Sequence, residues 1–287
     1  MHWGKVVLHG LVLVILFLAA AIMVNPLTDW IDHPSIRVVI KEFVRMGLTL
    51  AILALYARQF FKKKAAYFRI QSLAKTNKLW VFIGLTMPLT VMAFYLFTKL
   101  AIFEQQGQIS FSNGFLMIMG SFMAACSAGV IEEFLFRGYL LKLFEDKWNR
   151  ITAVSVTSIL FGSLHLMTMN NLHLIDGSMV LIGGTLVGIM FSLIVYKTGN
   201  VWNSVMVHMI WNFFMNSNVV QFAHMEESAQ SSLALFRFQS DSIWMTGGAY
   251  GIEVALPVIM VYILISGFTA FSFMLKKEIN NEKDDSF

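Results

Sequence analysis

This sequence is poor in charge. Asp, Glu, Lys and Arg together make up 13% of its 287 residues, about half the ~25% of an ordinary soluble domain. A chain so poor in charge cannot dress a water-facing surface, and 57% hydrophobic residues with a mean hydropathy of +0.68 mark an integral membrane protein. Cysteine is nearly absent. Cys126 stands alone in an apolar run, which excludes a disulfide framework. Proline is scarce, and no internal repeat or low-complexity tract offers a place to divide the chain, so residues 1–287 read as a single integral membrane domain. Basic residues outnumber acidic ones, 21 to 17, but they gather in short loops between apolar runs. That is a topology signal, and no nucleic-acid partner is expected.

What the sequence holds in abundance is apolar runs near the 17–25 residues that cross a ~30 Å hydrocarbon core. They are placed at 6–24, 38–57, 79–101, 114–141, 151–169, 179–196, 201–220 and 252–275. The fold class that follows is all-α, a polytopic membrane protein of about eight transmembrane helices. The first run is too long for a signal-peptide core and is expected to remain as a helix. The second is the weakest, with Lys41, Glu42 and Arg45 in its first turns, assigned to the interface. Pro88 is expected to kink the third span, and Gly184 with Gly188 give the sixth a small-residue face on which another helix can approach closely.

Orientation follows from the basic loops. Arg58, Lys62, Lys63, Lys64, Arg69, Lys75 and Lys78, then Lys142, Lys147 and Arg150, fall on one side with Lys5, Lys197 and the basic residues near 276–283, whereas Arg37 and Arg237 fall on the other. The expected location is the cell membrane, multi-pass, with both termini cytoplasmic.

Against this background the polar residues inside the spans stand out. Asp, Lys or Arg at the centre of a membrane helix costs roughly 2.5–3.5 kcal/mol, and Glu should be comparable. Yet "SAGVIEEFLFRGYLLK" carries Glu132, Glu133 and Arg137 within six positions, the fifth span carries His165, and the seventh carries His208 and Asn212. Glu133 and Arg137 are four apart, on one helical face, and can pair; Glu132 is rotated by about 100° and stays free. His208 and Asn212 are likewise four apart and project toward one point. A buried Glu beside a His makes a general-base pair for a water nucleophile. Two donors on an opposite helix suit an oxyanion. His9, alone near one end of the first span, reads as interfacial. Two other classes remain open: a non-enzymatic peptide-binding immunity protein, and a proton-coupled transporter, which the missing repeats and broken helices disfavour.

In order along separate spans, "EEFLFR", "FGSLH" and "HMIWN" give Glu-Glu-x-x-x-Arg, Phe-x-x-x-His and His-x-x-x-Asn. With these motifs the chain resembles the CAAX prenyl protease and bacteriocin-processing (CPBP or Abi) family of intramembrane endopeptidases over residues 115–220. The resemblance implies an eight-helix fold with an intramembrane catalytic cavity. Glu132 and His165 would activate water, Glu133 and Arg137 would support the site, and His208 and Asn212 would stabilise the oxyanion. It leaves the cofactor as none or a zinc ion, which Glu132, His165 and His208 would have to hold, although Asn212 is a poor zinc ligand and no HExxH pattern occurs. The implied partners are membrane lipid and a peptide or protein substrate: a lipidated CAAX protein, a bacteriocin or a signal peptide.

Overall fold

The computed structural model describes residues 2–105, 107–169, 173–224 and 232–284, the last ten of these by backbone alone. Residues 225–231, part of the loop expected on the outer face, lie outside the described residues.

Eight long helices form: α1 (Trp3–Thr28), α2 (Pro34–Tyr56), α3 (Lys78–Phe97), α4 (Phe111–Lys147), α5 (Arg150–His165), α6 (Leu174–Thr198), α7 (Trp202–Met215) and α8 (Leu256–Asp284). Local chemistry sets their ends. Asn77 and Asn149 accept from the backbone N–H of Leu79 and Thr152, each at 2.9 Å, capping α3 and α5. Gly199 closes α6 in the left-handed conformation at φ +66°.

Six of the eight, all but α2 and α7, are long and apolar enough to cross a membrane. α7 has 14 residues, about 21 Å at 1.5 Å per residue. α2 is interrupted by charges, of which two are engaged within the protein: Glu42 is buried and pairs with Arg45 at 2.6 Å, and Arg45 Nε donates to Ser127 of α4.

Three expected spans end earlier or begin later than hydrophobicity suggested. Lys99, left-handed at φ +56°, follows α3, and Ala101 already belongs to a strand. α7 stops at Met215, and α8 begins at Leu256. The residues so released build a small sheet in the order β1-β3-β2: β1 (Ala101–Glu104) antiparallel and β2 (Val220–Ala223) parallel to the central β3 (Ala234–Phe238).

The opposite end of the bundle is tied by the basic segment between α2 and α3. Gln71 Nε2 donates to Gly199 O at 2.8 Å, Trp202 Nε1 to Gln71 O at 3.0 Å, and Asn77 N to Asn203 Oδ1 at 2.8 Å. Arg69 pairs with Glu145, and Tyr67 donates to Asp146.

Two apolar cores flank the centre. One packs α3, α6, α7, α8 and the sheet through Trp80, Tyr95, Phe191, Trp211 and Phe236; the other packs α1, α2, α4 and α5 through Leu13, Leu53, Leu140, Phe144 and Phe161. Small residues draw α6 onto α5: a Cβ at Gly184 would stand 2.7 Å from Gly162 Cα. The same holds between α4 and α7, where a Cβ at Gly129 would meet the Met209 backbone N at 3.2 Å. Both approaches lie beside the polar cluster, where the two cores meet.

Candidate active site

The site is built on a distortion. Immediately after Glu132 and Glu133, α4 widens into a π-helical segment, Phe134–Leu140, which contains Arg137 and is buried throughout. Such segments are rare and concentrate at functional sites because they re-aim side chains without ending the helix.

Glu133 is fully buried. Its Oε1 accepts from Arg137 Nη1 at 2.9 Å and from His208 Nδ1 at 3.1 Å. The pairing with Arg137 is the one that four-residue spacing called for; the contact with His208 is added by the approach of α7. The cluster is only partly satisfied: Glu133 Oε2, Arg137 Nε and Arg137 Nη2 are buried with no hydrogen-bond partner among the described residues. Aromatic faces stand in their place, since the guanidinium carbon lies 4.3 Å from the Phe161 ring centre and 5.2 Å from that of Phe191.

His208 is fixed on several sides. Its ring stacks on Phe191 at 4.9 Å and meets Phe161 edge-on at 6.3 Å. A carboxylate only accepts, so Nδ1 donates its proton to Glu133. Nε2 then faces Glu132, whose Oε2 is 3.8 Å away. His165 is held differently. Its Nδ1 donates to the carbonyl of Phe161 at 2.8 Å, so in the neutral ring the free lone pair is on Nε2.

A cavity of about 600 Å³ gathers these groups. Glu132, His165, His208 and Asn212, from α4, α5 and α7, all line it. Glu132, with 20% of its side chain exposed, reaches the cavity, whereas Glu133 at 0% lies behind. Among the described residues no group of three His, Cys, Asp or Glu side chains could hold a metal ion. Glu132, His165 and His208, the three that a zinc ion would need, all line the cavity.

Glu253 and Tyr250 are among the lining residues that were not anticipated. Glu253, in the turn Ile252–Val254 before α8, accepts from Trp211 Nε1 at 2.9 Å, and Tyr250 lies beside it on the wall. A signal for Glu253 did exist, as a lone acid at the head of the last apolar run. Nothing in the local sequence of Tyr250 separates it from a loop residue.

The family comparison bears on the classes left open above. Residues 113–214 match the family model described as Rce1-like: Type II CAAX prenyl endopeptidase Rce1-like. All three motifs lie within that segment, and the match bears out the resemblance drawn from them. It supports a CAAX-type intramembrane endopeptidase of multi-pass membrane architecture, acting on a peptide or protein. Tyr250, Glu253 and the sheet lie outside the matched residues. No curated protein matches the chain.

Proposed function

We propose that the chain hydrolyses a peptide bond within the membrane by a metal-independent, glutamate-dependent route. The observation that carries this reading is the convergence of Glu132, His165, His208 and Asn212 from three helices on one cavity, with both imidazoles held in a defined orientation. Glu132 and His165 Nε2 take a proton from water as its oxygen bonds to the substrate carbonyl carbon. The carbonyl π electrons move to oxygen. Asn212 and His208 donate to that oxyanion, which requires His208 to carry a proton on Nε2 as well as on Nδ1. The C–N bond then breaks as the proton held by the base passes to the leaving amine, and no charge is left over. Glu133 and Arg137 position His208 from behind.

The basic segment tied across α4, α6 and α7 defines the cytoplasmic end of the bundle on the positive-inside rule, and both termini are assigned to that side. The cavity residues Thr168, Met169, Val180 and Asn216 stand at or toward the other ends of α5, α6 and α7, and Tyr250 lies in the turn that precedes α8. A peptide segment presented on the non-cytoplasmic face, such as that of an exported bacteriocin or a signal peptide, therefore fits better than a cytoplasmic CAAX tail. Tyr250→Cys in a Cys126→Ser background should react with a membrane-impermeant thiol reagent from outside the cell. Reaction only after the membrane is opened would overturn this orientation.

Purified protein in liposomes tests the reaction. Given a panel of exported and prenylated peptides, it should release two products from at least one, with the cut located by mass spectrometry and the rate unchanged by a chelator. Peptide binding without cleavage across the panel would favour the immunity-protein reading. Loss of cleavage on chelation, restored by zinc, would decide against the metal-independent route.

A further inference from the structure

A second cavity, of about 520 Å³, adjoins the first and shares Asn216, Tyr250 and Glu253 with it. Its other walls come from the starts of α2 and α4 and from the strand β2. Val220, Gln221 and Phe222 all line it. Consecutive side chains of a strand point to opposite faces, so three in succession on one cavity mean that the cavity meets the strand along its edge. That edge is open among the described residues, where β2 has only β3 beside it in the sheet. An open edge carries backbone N–H and C=O groups without ladder partners and accepts an added strand. Gln221 adds an independent sign: its Oε1 is buried with no hydrogen-bond partner among the described residues, an acceptor whose burial is costly until a donor arrives.

We propose that the second cavity seats one flank of the peptide substrate, extended beside β2 and continuing past Tyr250 and Glu253 into the catalytic cavity. The occupant is a peptide backbone because the cavity borders a strand edge and an orphan acceptor and is continuous with the site where a peptide bond would be cut. The proposal rests on the endopeptidase reading for that last step alone. Recognition through backbone hydrogen bonds tolerates varied side chains. Specificity then falls to pockets for alternate residues, here the apolar Val38, Leu116 and Met215 and the small Ser121.

The test uses full-length protein in lipid nanodiscs carrying Glu132→Gln, which prevents turnover. The probes are fluorescent peptides of alternating Leu and Ser, a short one and two versions extended at either end by about five residues, the length of an ordinary strand. Extension at one end should tighten binding roughly tenfold, as one or two net hydrogen bonds would. N-methylation of the extension's amides should remove that gain. Ala124→Phe, which pushes a ring into the second cavity from α4, should cancel it too, and Gln221→Leu should reduce it if Ala124→Phe fails to fold. No gain from extension at either end, or a gain indifferent to N-methylation, would overturn the groove. A peptide cut by the wild type yet bound no better when extended would sink the groove and leave the endopeptidase standing. The full pattern of binding in a protein that cuts nothing would do the reverse.

Discussion

Two arginine–carboxylate pairs, Arg69 with Glu145 and Arg137 with Glu133, use the same chemistry in opposite surroundings. Both guanidinium groups lie over aromatic rings, Arg69 4.8 Å from Tyr196 and Arg137 4.3 Å from Phe161. At the basic end of the bundle the side chains keep 16% and 14% of their exposure, and Glu145 also accepts from Arg150 at 3.1 Å. In the centre the corresponding values are 1% and 0%. Water reaches the first pair in part and the second not at all. A buried ion pair often adds little net stability over an apolar one, so its retention calls for another reason. Here the reason is geometric: Glu133 Oε1 is also what holds His208.

Breaking each pair measures the contrast. Glu133→Ala strands the Arg137 charge in a dry interior, which typically costs 3–5 kcal/mol. Folded protein, followed by size exclusion and thermal melting in detergent, should fall sharply, and activity with it; an unchanged melting temperature would show that the centre is wetter than its burial implies. Next in size, Asn212→Ala removes a neutral donor from the cavity wall and leaves the ion pair intact. It should lower kcat about 10²–10³-fold with KM little altered, as loss of one oxyanion donor does. A rise in KM alone would make Asn212 a substrate-binding group. Smaller still, Glu145→Gln at the part-exposed basic end should cost on the order of 1–2 kcal/mol, between the range of exposed pairs and that of a stranded buried charge. A loss as large as that of Glu133→Ala would erase the distinction.

The smallest effect lies in the sheet. Arg237 donates to Glu104 at 2.6 Å and holds its carboxyl below the ordinary carboxylate range. A group whose folded pKa is depressed contributes stability above its unfolded pKa and loses it as pH falls through the folded value. The pairing of β1 with β3 should therefore persist through pH 5 and loosen only below the usual Glu value of about 4.3. A Glu104 side-chain NMR titration should place the midpoint below that value. An ordinary midpoint would show that the pair exerts no hold.

The same contrast explains what the sequence disclosed. Glu132, Glu133, Arg137, His165, His208 and Asn212 were legible because each is a polar group in an apolar run, an expense that points to use. The long helices were legible for the complementary reason. The contact between Glu133 and His208 was not, because it joins α4 to α7 and depends on Gly129 letting the backbones meet. The sheet was not, because Ala101 pairs with Phe238 across nearly half of the chain and its strands are four or five residues long. Glu253 shows the intermediate case: its oddity was visible, but its place beside the site is set by Trp211, one turn from His208.

The central claim is a division of labour in which Glu133 holds the site and Glu132 reacts. It is tested most directly by Glu132→Gln, which keeps the shape of the side chain and removes only its ability to take a proton. Cleavage by the reconstituted variant should fall by about 10²–10⁴-fold, the range of a lost general base, while its melting temperature and its affinity for a cleavable peptide match the wild type. Retained cleavage, or a loss of folded protein equal to that of Glu133→Ala, would contradict the account.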